Sequence, residues 1–319
     1  MNRKMKICLS IGAMNPPFYD MIQELSQYAQ VDVVGLDGFS LAGYDIFIGK
    51  KLKKDILATA DRLKAIFAYK TGVDDFPMAE LRQRGILLVN SHADATIIAE
   101  YAIGLAMSLL YRIPESDKKL RRGVWRDRVN PYWKSFFEVK IGLVGYGHIG
   151  KAIHAFLKRN NITAYTLDRG KDYGSDIEVL PTLEALCEVS DLIILSLPKT
   201  PGTDRMFDQH LLSAMQGKYL VNVGRSNCID QQALYHALKD GQLAGAAIDT
   251  WDQKPASMLD TLIPFAYPFD QLDNISLSPH QAMQVEAGHE NYVEDITQKV
   301  LRYLQGQPPT DVVDLNKGY

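Results

Sequence analysis

The sequence predicts an α/β protein of two domains, each built on a parallel sheet with helices on both faces. Three observations carry this. Short apolar runs alternate with helix-like pieces through the first hundred residues, and the same rhythm restarts at Val139. A long apolar helical pattern, Ala95 to Ser116, stands between the two series. The chain of 319 residues also exceeds what one hydrophobic core comfortably holds.

Taken in order, KICLSIG reads as a buried strand, FYDMIQELSQYA as a helix and VDVVGL as a strand. YDIFIG, LKAIFAYK and ILLVN follow as further strands. The opening MNRKMKICLSIGAM places basic residues before an apolar run, as a leader peptide does, but the run is short and NPPFYD follows it; a first strand is expected instead. ATIIAEYAIGLAMSLLYRIPES is apolar nearly all round and so belongs in a core, with the length of a spine between domains. KKLRRGVWRDRVNPYWKSFF is basic and aromatic, but the whole chain carries a net charge of −3. That balance argues against nucleic acid and for a solvated arm, suited to a dimer contact. No stretch reaches the roughly 20 apolar residues of a membrane span. Cys8, Cys187 and Cys228 are scattered and odd in number, which fits reduced thiols in a cytoplasmic protein and gives no metal spacing.

In the second series, KIGLVGYG, TAYTLD, LIILSLP, YLVNVG, LAGAAIDTW and ISLSPH are strand candidates, with HIGKAIHAFLKRN and QQALYHALKDG among the helices between them. GHENYVEDITQKVLRYLQGQ is a closing helix that stops at glycine.

Within KIGLVGYGHIGKAI, Gly145, Gly147 and Gly150 fit G-x-G-x-x-G directly after a strand and at the start of a helix. Gly145 permits the tight turn, Gly147 lets backbone approach a pyrophosphate, and Gly150 lets helix and strand pack closely. The helix N-terminus then faces the phosphates. Tyr146, His148 and Ile149 fill the loop. TAYTLD ends in Asp168, placed to accept hydrogen bonds from ribose hydroxyls. A carboxylate there repels a 2′-phosphate, so NAD is expected ahead of NADP, although Arg169 follows at once.

With these motifs, the chain resembles the D-isomer-specific 2-hydroxyacid dehydrogenases. TGVDDF looks like the family's substrate-carboxylate loop and IIAEYAIGLAMSLLYR like its inter-domain helix. LPKTPGT, LVNVGRSNCIDQQAL, GAAIDTW and SPHQA follow in the family's order. The resemblance implies two Rossmann-like or flavodoxin-like domains, with an NAD domain inserted into a segmented substrate domain. Residues 1–100 and 282–319 would bind substrate and residues 101–281 NAD. It also implies a homodimer, and a small 2-hydroxy or 2-keto acid as substrate.

The reaction needs a cation for the substrate carboxylate and a proton donor for its carbonyl. Arg225, at a strand-to-loop junction, can grip a carboxylate with two parallel bonds and polarise the carbonyl. His280, after another strand, can give a proton on reduction and take one on oxidation. By resemblance, backbone around Thr71, Gly72 and Val73 completes the carboxylate site, and Asp249 lies near the nicotinamide carboxamide. Leu197, Pro198, Thr203, Val223 and Gly224 would line the cofactor.

One position departs from the family pattern. Five residues after the GAAIDTW aspartate the family has a glutamate that holds the histidine protonated; here Lys254 stands there, followed by Pro255. A cation about 6 Å from an imidazolium costs roughly 2.8 kcal/mol at an effective dielectric of 20. That would keep His280 neutral at pH 7 and slow carbonyl reduction. Three accounts stay open: Asp252 substitutes as the acid, Lys254 turns to solvent, or the protein keeps the cofactor and loses ordinary turnover. Asp94, where the family usually has asparagine, could pair with Lys254. The expected function is NAD-dependent 2-hydroxyacid oxidoreduction; the alternative is an NAD-binding regulatory or corepressor-like protein with little turnover.

Overall fold

The computed structural model describes residues 3–125, 132–171, 173–253, 255, 261–285 and 288–319. Lys254 and residues 126–131 of the basic aromatic segment lie outside the described residues. The chain forms two compact units, Met1–Asp94 with Val285–Tyr319, and Ala95–Gln284.

The first unit begins with β1 (Lys6–Ser10), α1 (Pro16–Ser26), β2 (Gln30–Val34), β3 (Ile46–Ile48), α2 (Lys54–Ala58), β4 (Ala65–Phe67), α3 (Met78–Arg84) and β5 (Leu87–Val89). Its strands are all parallel, in the order β2-β1-β3-β4-β5. Side chains alternate across this sheet with the period of two that a pleat imposes. Cys8, Phe47, Ile66 and Leu88 pack with Ile56, Leu57 and Leu81 of α2 and α3. Ile7, Leu9, Ile46, Ile48 and Phe67, on the opposite face, are also buried. Burial on both faces is why these strands are apolar throughout.

The second unit contains α4 (Ala95–Leu110), α5 (Ile113–Arg121), β6 (Ile141–Val144), α6 (His148–Arg159), β7 (Ala164–Leu167), β8 (Glu178–Leu180) and α7 (Leu183–Val189). It continues with β9 (Leu192–Leu195), α8 (Gln209–Ala214), β10 (Tyr219–Asn222), α9 (Gln231–Lys239), β11 (Gly245–Ile248) and β12 (Ile275–Leu277). The parallel order is β12-β11-β10-β9-β6-β7-β8. From β6 the chain steps outward to β7 and β8, then returns to place β9 against the other side of β6. This reversal marks where α/β sheets of this kind bind ligands, at the carboxyl ends of the strands. Ile193, Leu195 and Leu220 join one core with α7, α8 and α9, while Leu192, Ile194 and Val221 join the other with α4 and α6. Thr182, Asp208 and Asp230 cap α7, α8 and α9 by accepting from Ala185, Leu211 and Ala233 backbone N–H groups, each cap contributing about 1 kcal/mol.

The last helix, α10 (Gly288–Leu304), belongs to the first unit, where it packs on α1 and buries Tyr292, Val293, Ile296 and Val300.

Two expectations about local structure are corrected. The helix expected from Ala95 to Ser116 is two helices, bent by 54°. Pro114, in the first turn of α5, has no N–H to donate to Leu110, and its ring would crowd that carbonyl. Arg112 takes up the turn at a φ of 55°. The expected strand LKAIFAYK shrinks to Ala65–Phe67, because Ala68 and Tyr69 already turn into the next loop. No single helix among the described residues is long and apolar enough to cross a membrane. All three cysteines are buried and free.

Candidate active site

At the carboxyl end of β6 the chain turns at Gly145, whose φ is +106°. A Cβ there would lie 2.9 Å from the Ser196 carbonyl oxygen, and one on Gly150 would lie 2.1 Å from the Gly145 carbonyl oxygen. Glycine is required at both places, first for the left-handed turn and then for the close approach of α6 to β6. Gly147 caps α6, and a Cβ on it would meet nothing within 4 Å. The space in front of the helix N-terminus is therefore open, as an anion cradle must be. The Ser196 hydroxyl donates to Gly145 O at 2.9 Å and joins the ends of β6 and β9 across the topological reversal.

Tyr146 and Ile149 pack partly buried, while His148 is exposed. The Tyr146 hydroxyl and His154 Nδ1 are 2.6 Å apart. Burial, followed by the Lys158 charge, holds the His154 imidazole below its ordinary value. Asp168 follows β7 and is exposed; its Oδ1 accepts from Gly170 N–H at 2.8 Å. Tyr173 braces the same turn by donating to Leu167 O at 3.0 Å and accepting from Arg169 N–H at 2.7 Å.

Leu197, Val223 and Gly224 are buried at the ends of β9 and β10. A Cβ on Gly224 would lie 2.6 Å from Leu197 N, so these loops touch backbone to backbone. Thr203 donates to Pro198 O at 2.8 Å and accepts from Thr200 N–H at 2.9 Å, which folds the 198–203 turn onto itself. Asn222, fully buried, accepts from Gly224 N–H at 2.9 Å and donates to Arg225 O at 3.1 Å. It thereby shapes the junction from which half-buried Arg225 emerges. Arg225 Nη1 donates to Gly224 O at 3.0 Å.

His280 follows β12 in the left-handed region, with a φ of 56°, a conformation costing a non-glycine residue about 1–3 kcal/mol. Its neighbours offset that cost. The Asp249 carboxylate, 1 % exposed, accepts from the Ser278 hydroxyl, from Gln281 N–H at 2.9 Å and from Ala282 N–H at 3.4 Å. Ser278 has one hydroxyl proton and gives it to Asp249, so the Tyr101 hydroxyl, 2.8 Å away, must donate to Ser278. Tyr101 in turn accepts from Gln281 Nε2 at 2.8 Å. The Trp251 indole donates to Ser278 O at 2.9 Å. The loop is held on both sides of an exposed imidazole. Tyr101, Asn222, Trp251 and Ser278 were not picked out from sequence as site residues; a polar residue ending an otherwise apolar strand, as Asn222 does, was the available signal. Asp252 is exposed and makes no hydrogen bond among the described residues.

In the first unit the Thr71–Val73 loop follows β4. The Thr71 hydroxyl lies 2.8 Å from both Ser91 O and Asp94 Oδ1, and Asn90 Nδ2 donates to Thr71 O at 2.7 Å. Asp94 also accepts from the Tyr292 hydroxyl of α10. Burial, then the Asp94 charge, raises the Tyr292 phenol well above its ordinary value. Asp94 is thus a buried brace for the loop. Among the described residues, the backbone N–H groups of Thr71, Gly72 and Val73 meet no acceptor.

A family model described as the NAD-binding domain of D-isomer-specific 2-hydroxyacid dehydrogenases matches residues 103–282. A glyoxylate reductase of Thermofilum pendens is 31 % identical over 275 residues, covering 83 % of this chain and 78 % of that protein. A D-3-phosphoglycerate dehydrogenase of Escherichia coli K12 is also 31 % identical, over 81 % of this chain but only 63 % of its own length. A crystal structure from Pyrococcus horikoshii OT3 superposes with a TM-score of 0.84 at 26 % identity, covering 98 % of this chain and 96 % of the other. An NADPH-dependent glyoxylate/hydroxypyruvate reductase from Sinorhizobium meliloti, in complex with NADP and malonate, shares the fold with a TM-score of 0.79 at 23 % identity, covering 99 % and 98 %. The glycine turn at the reversal of the second sheet and the match over most of that unit lead to one conclusion: the chain belongs to the D-isomer-specific 2-hydroxyacid dehydrogenase family, as a hydroxyacid oxidoreductase with an NAD-binding domain.

Proposed function

We propose that this enzyme interconverts a small 2-keto acid and its D-2-hydroxy acid with NAD as the coenzyme. The observation that carries the reading is the hydrogen-bond chain from Gln281 through Tyr101 and Ser278 to Asp249. It holds the imidazole of His280 at a strand end, on the same sheet edge as the glycine turn and Arg225. The three glycines fit a dinucleotide, since a Cβ at Gly145 or Gly150 would strike the backbone of the strand–helix turn while Gly147 leaves the helix end open. Bound nicotinamide would supply or accept the hydride.

The chain's own residues do the rest. The Arg225 guanidinium would hold the substrate carboxylate and draw electron density from the carbonyl oxygen. His280 would protonate that oxygen on reduction and take the proton back on oxidation. The backbone N–H groups of Thr71, Gly72 and Val73, which meet no acceptor among the described residues, would bind a carboxylate, so the first unit would bind substrate. Asp168, already shaped by Gly170, would accept the ribose hydroxyls and disfavour a 2′-phosphate. A cytoplasmic homodimer belongs to the same reading, and the exposed Trp125, Tyr132 and Trp133 would suit a contact with a second copy.

Loss of NADH absorbance with a panel of 2-keto acids tests the reading. Turnover supports it, whereas tight NADH binding without turnover of any keto acid favours a regulatory role.

A further inference from the structure

Four lysines cluster after β3, and three have an acidic partner. Lys51 and Lys53 pair with Asp37 at 3.5 and 2.7 Å, and Lys54 pairs with Glu80 at 2.6 Å. Lys50 differs: it is half-buried and pairs with no carboxylate among the described residues. Its ammonium sits 5.3 Å above the Tyr69 ring.

Tyr69 explains where that ammonium is. Its hydroxyl donates to Ser10 O, at the end of β1, at 2.8 Å, and its ring meets Phe18 of α1 edge-on at 5.4 Å. Lys50 therefore lies over the carboxyl ends of β1, β3 and β4. In the order β2-β1-β3-β4-β5 the connectivity reverses between β1 and β3, so this is the ligand-binding edge of the first sheet. The Thr71–Val73 loop begins two residues after Tyr69.

The site is electrostatically unfinished. Burial, and then the nearby Lys70 charge, hold the Lys50 amine below its ordinary value. Lys70 is itself paired with Asp75. The Tyr69 face stabilises the Lys50 cation, but no anion answers it among the described residues. A half-desolvated ammonium beside the loop proposed to bind the carboxylate would be completed by a second negative group on the ligand.

We propose that the substrate of this enzyme carries a second anion, a carboxylate or a phosphate, remote from its keto-acid end, and that Lys50 binds it. This rests on the 2-keto acid reading above and narrows it.

The test compares matched pairs: pyruvate with oxaloacetate for a carboxylate, and hydroxypyruvate with its 3-phosphate for a phosphate. The wild type should favour the anionic member of one pair in kcat/KM. Lys50→Gln should cut that preference about ten- to a hundred-fold, the size of a charge-assisted hydrogen bond, and Lys50→Arg should largely restore it. Equal or better use of the neutral members, or a preference untouched in Lys50→Gln, overturns the proposal while leaving the dehydrogenase reading intact. If no keto acid is reduced, calorimetry on the full chain with inorganic phosphate and with succinate decides. Binding lost in Lys50→Gln supports the anion site; no binding, or binding that survives the substitution, overturns it.

Discussion

Ser278 donates its hydroxyl proton to the buried carboxylate of Asp249, so the residue two positions before His280 is fixed to the end of the neighbouring strand. The same carboxylate accepts the backbone N–H of Gln281, immediately after His280. One acid thus holds the proposed proton carrier from both sides.

Asp249→Asn places an amide where two or three buried donors need an acceptor, at about 1–3 kcal/mol for each one left unmet. Reductive kcat should fall about ten- to a hundred-fold, while His280→Ala should lower it about 10²–10⁴-fold. Because Asp249 is taken to act through His280, the double variant should be no slower than His280→Ala alone. Additive losses in that cycle would give Asp249 an independent role.

Gly150→Ala puts a Cβ 2.1 Å from the Gly145 carbonyl oxygen, which is backbone and cannot swing aside. Overpacking of this kind costs about 1–3 kcal/mol. Urea unfolding should show that loss, and NADH affinity should fall with it as the glycine turn opens. Unchanged affinity would separate the turn from the cofactor.

Asp168 is expected to set coenzyme choice. Asp168→Ala removes a carboxylate that repels a 2′-phosphate and leaves Arg169 beside it. The ratio of kcat/KM for NADPH over NADH should rise about tenfold or more. A wild type that already prefers NADPH would contradict the assignment.

Stability should depend on pH through His154. Its folded value lies below the ordinary 6.5, so between those two values the unfolded chain binds a proton that the folded chain refuses. Stability is complete above the unfolded value and is lost as pH falls through 6.5 toward the folded one. In denaturant unfolding from pH 7 to pH 5.5, the wild type should lose stability that His154→Gln does not. Parallel losses in both proteins would exclude this histidine.

Both parallel sheets were legible in the sequence because strands buried on two faces leave unbroken apolar runs, such as YDIFIG and LIILSLP. The glycine turn was legible because each glycine answers a separate steric demand. Pro114 carries the signal of the helix break in its missing N–H, but the continuous apolar pattern around it masks that signal. Strand Glu178–Leu180 escaped because a three-residue, half-exposed edge strand leaves no periodic signal. The anchors of His280 escaped for a different reason. Tyr101 and Ser278 are 177 residues apart, and only the fold shows that a tyrosine on an apolar helix completes a polar chain.

The most direct test of the central claim is NADH oxidation with a reactive 2-keto acid by wild type, Arg225→Ala and His280→Ala, each first shown to bind NADH. The account predicts turnover in the wild type, a raised KM as well as a lowered kcat in Arg225→Ala, and a kcat loss of about 10²–10⁴-fold in His280→Ala. Wild-type rates in both variants, with NADH binding intact, would contradict it.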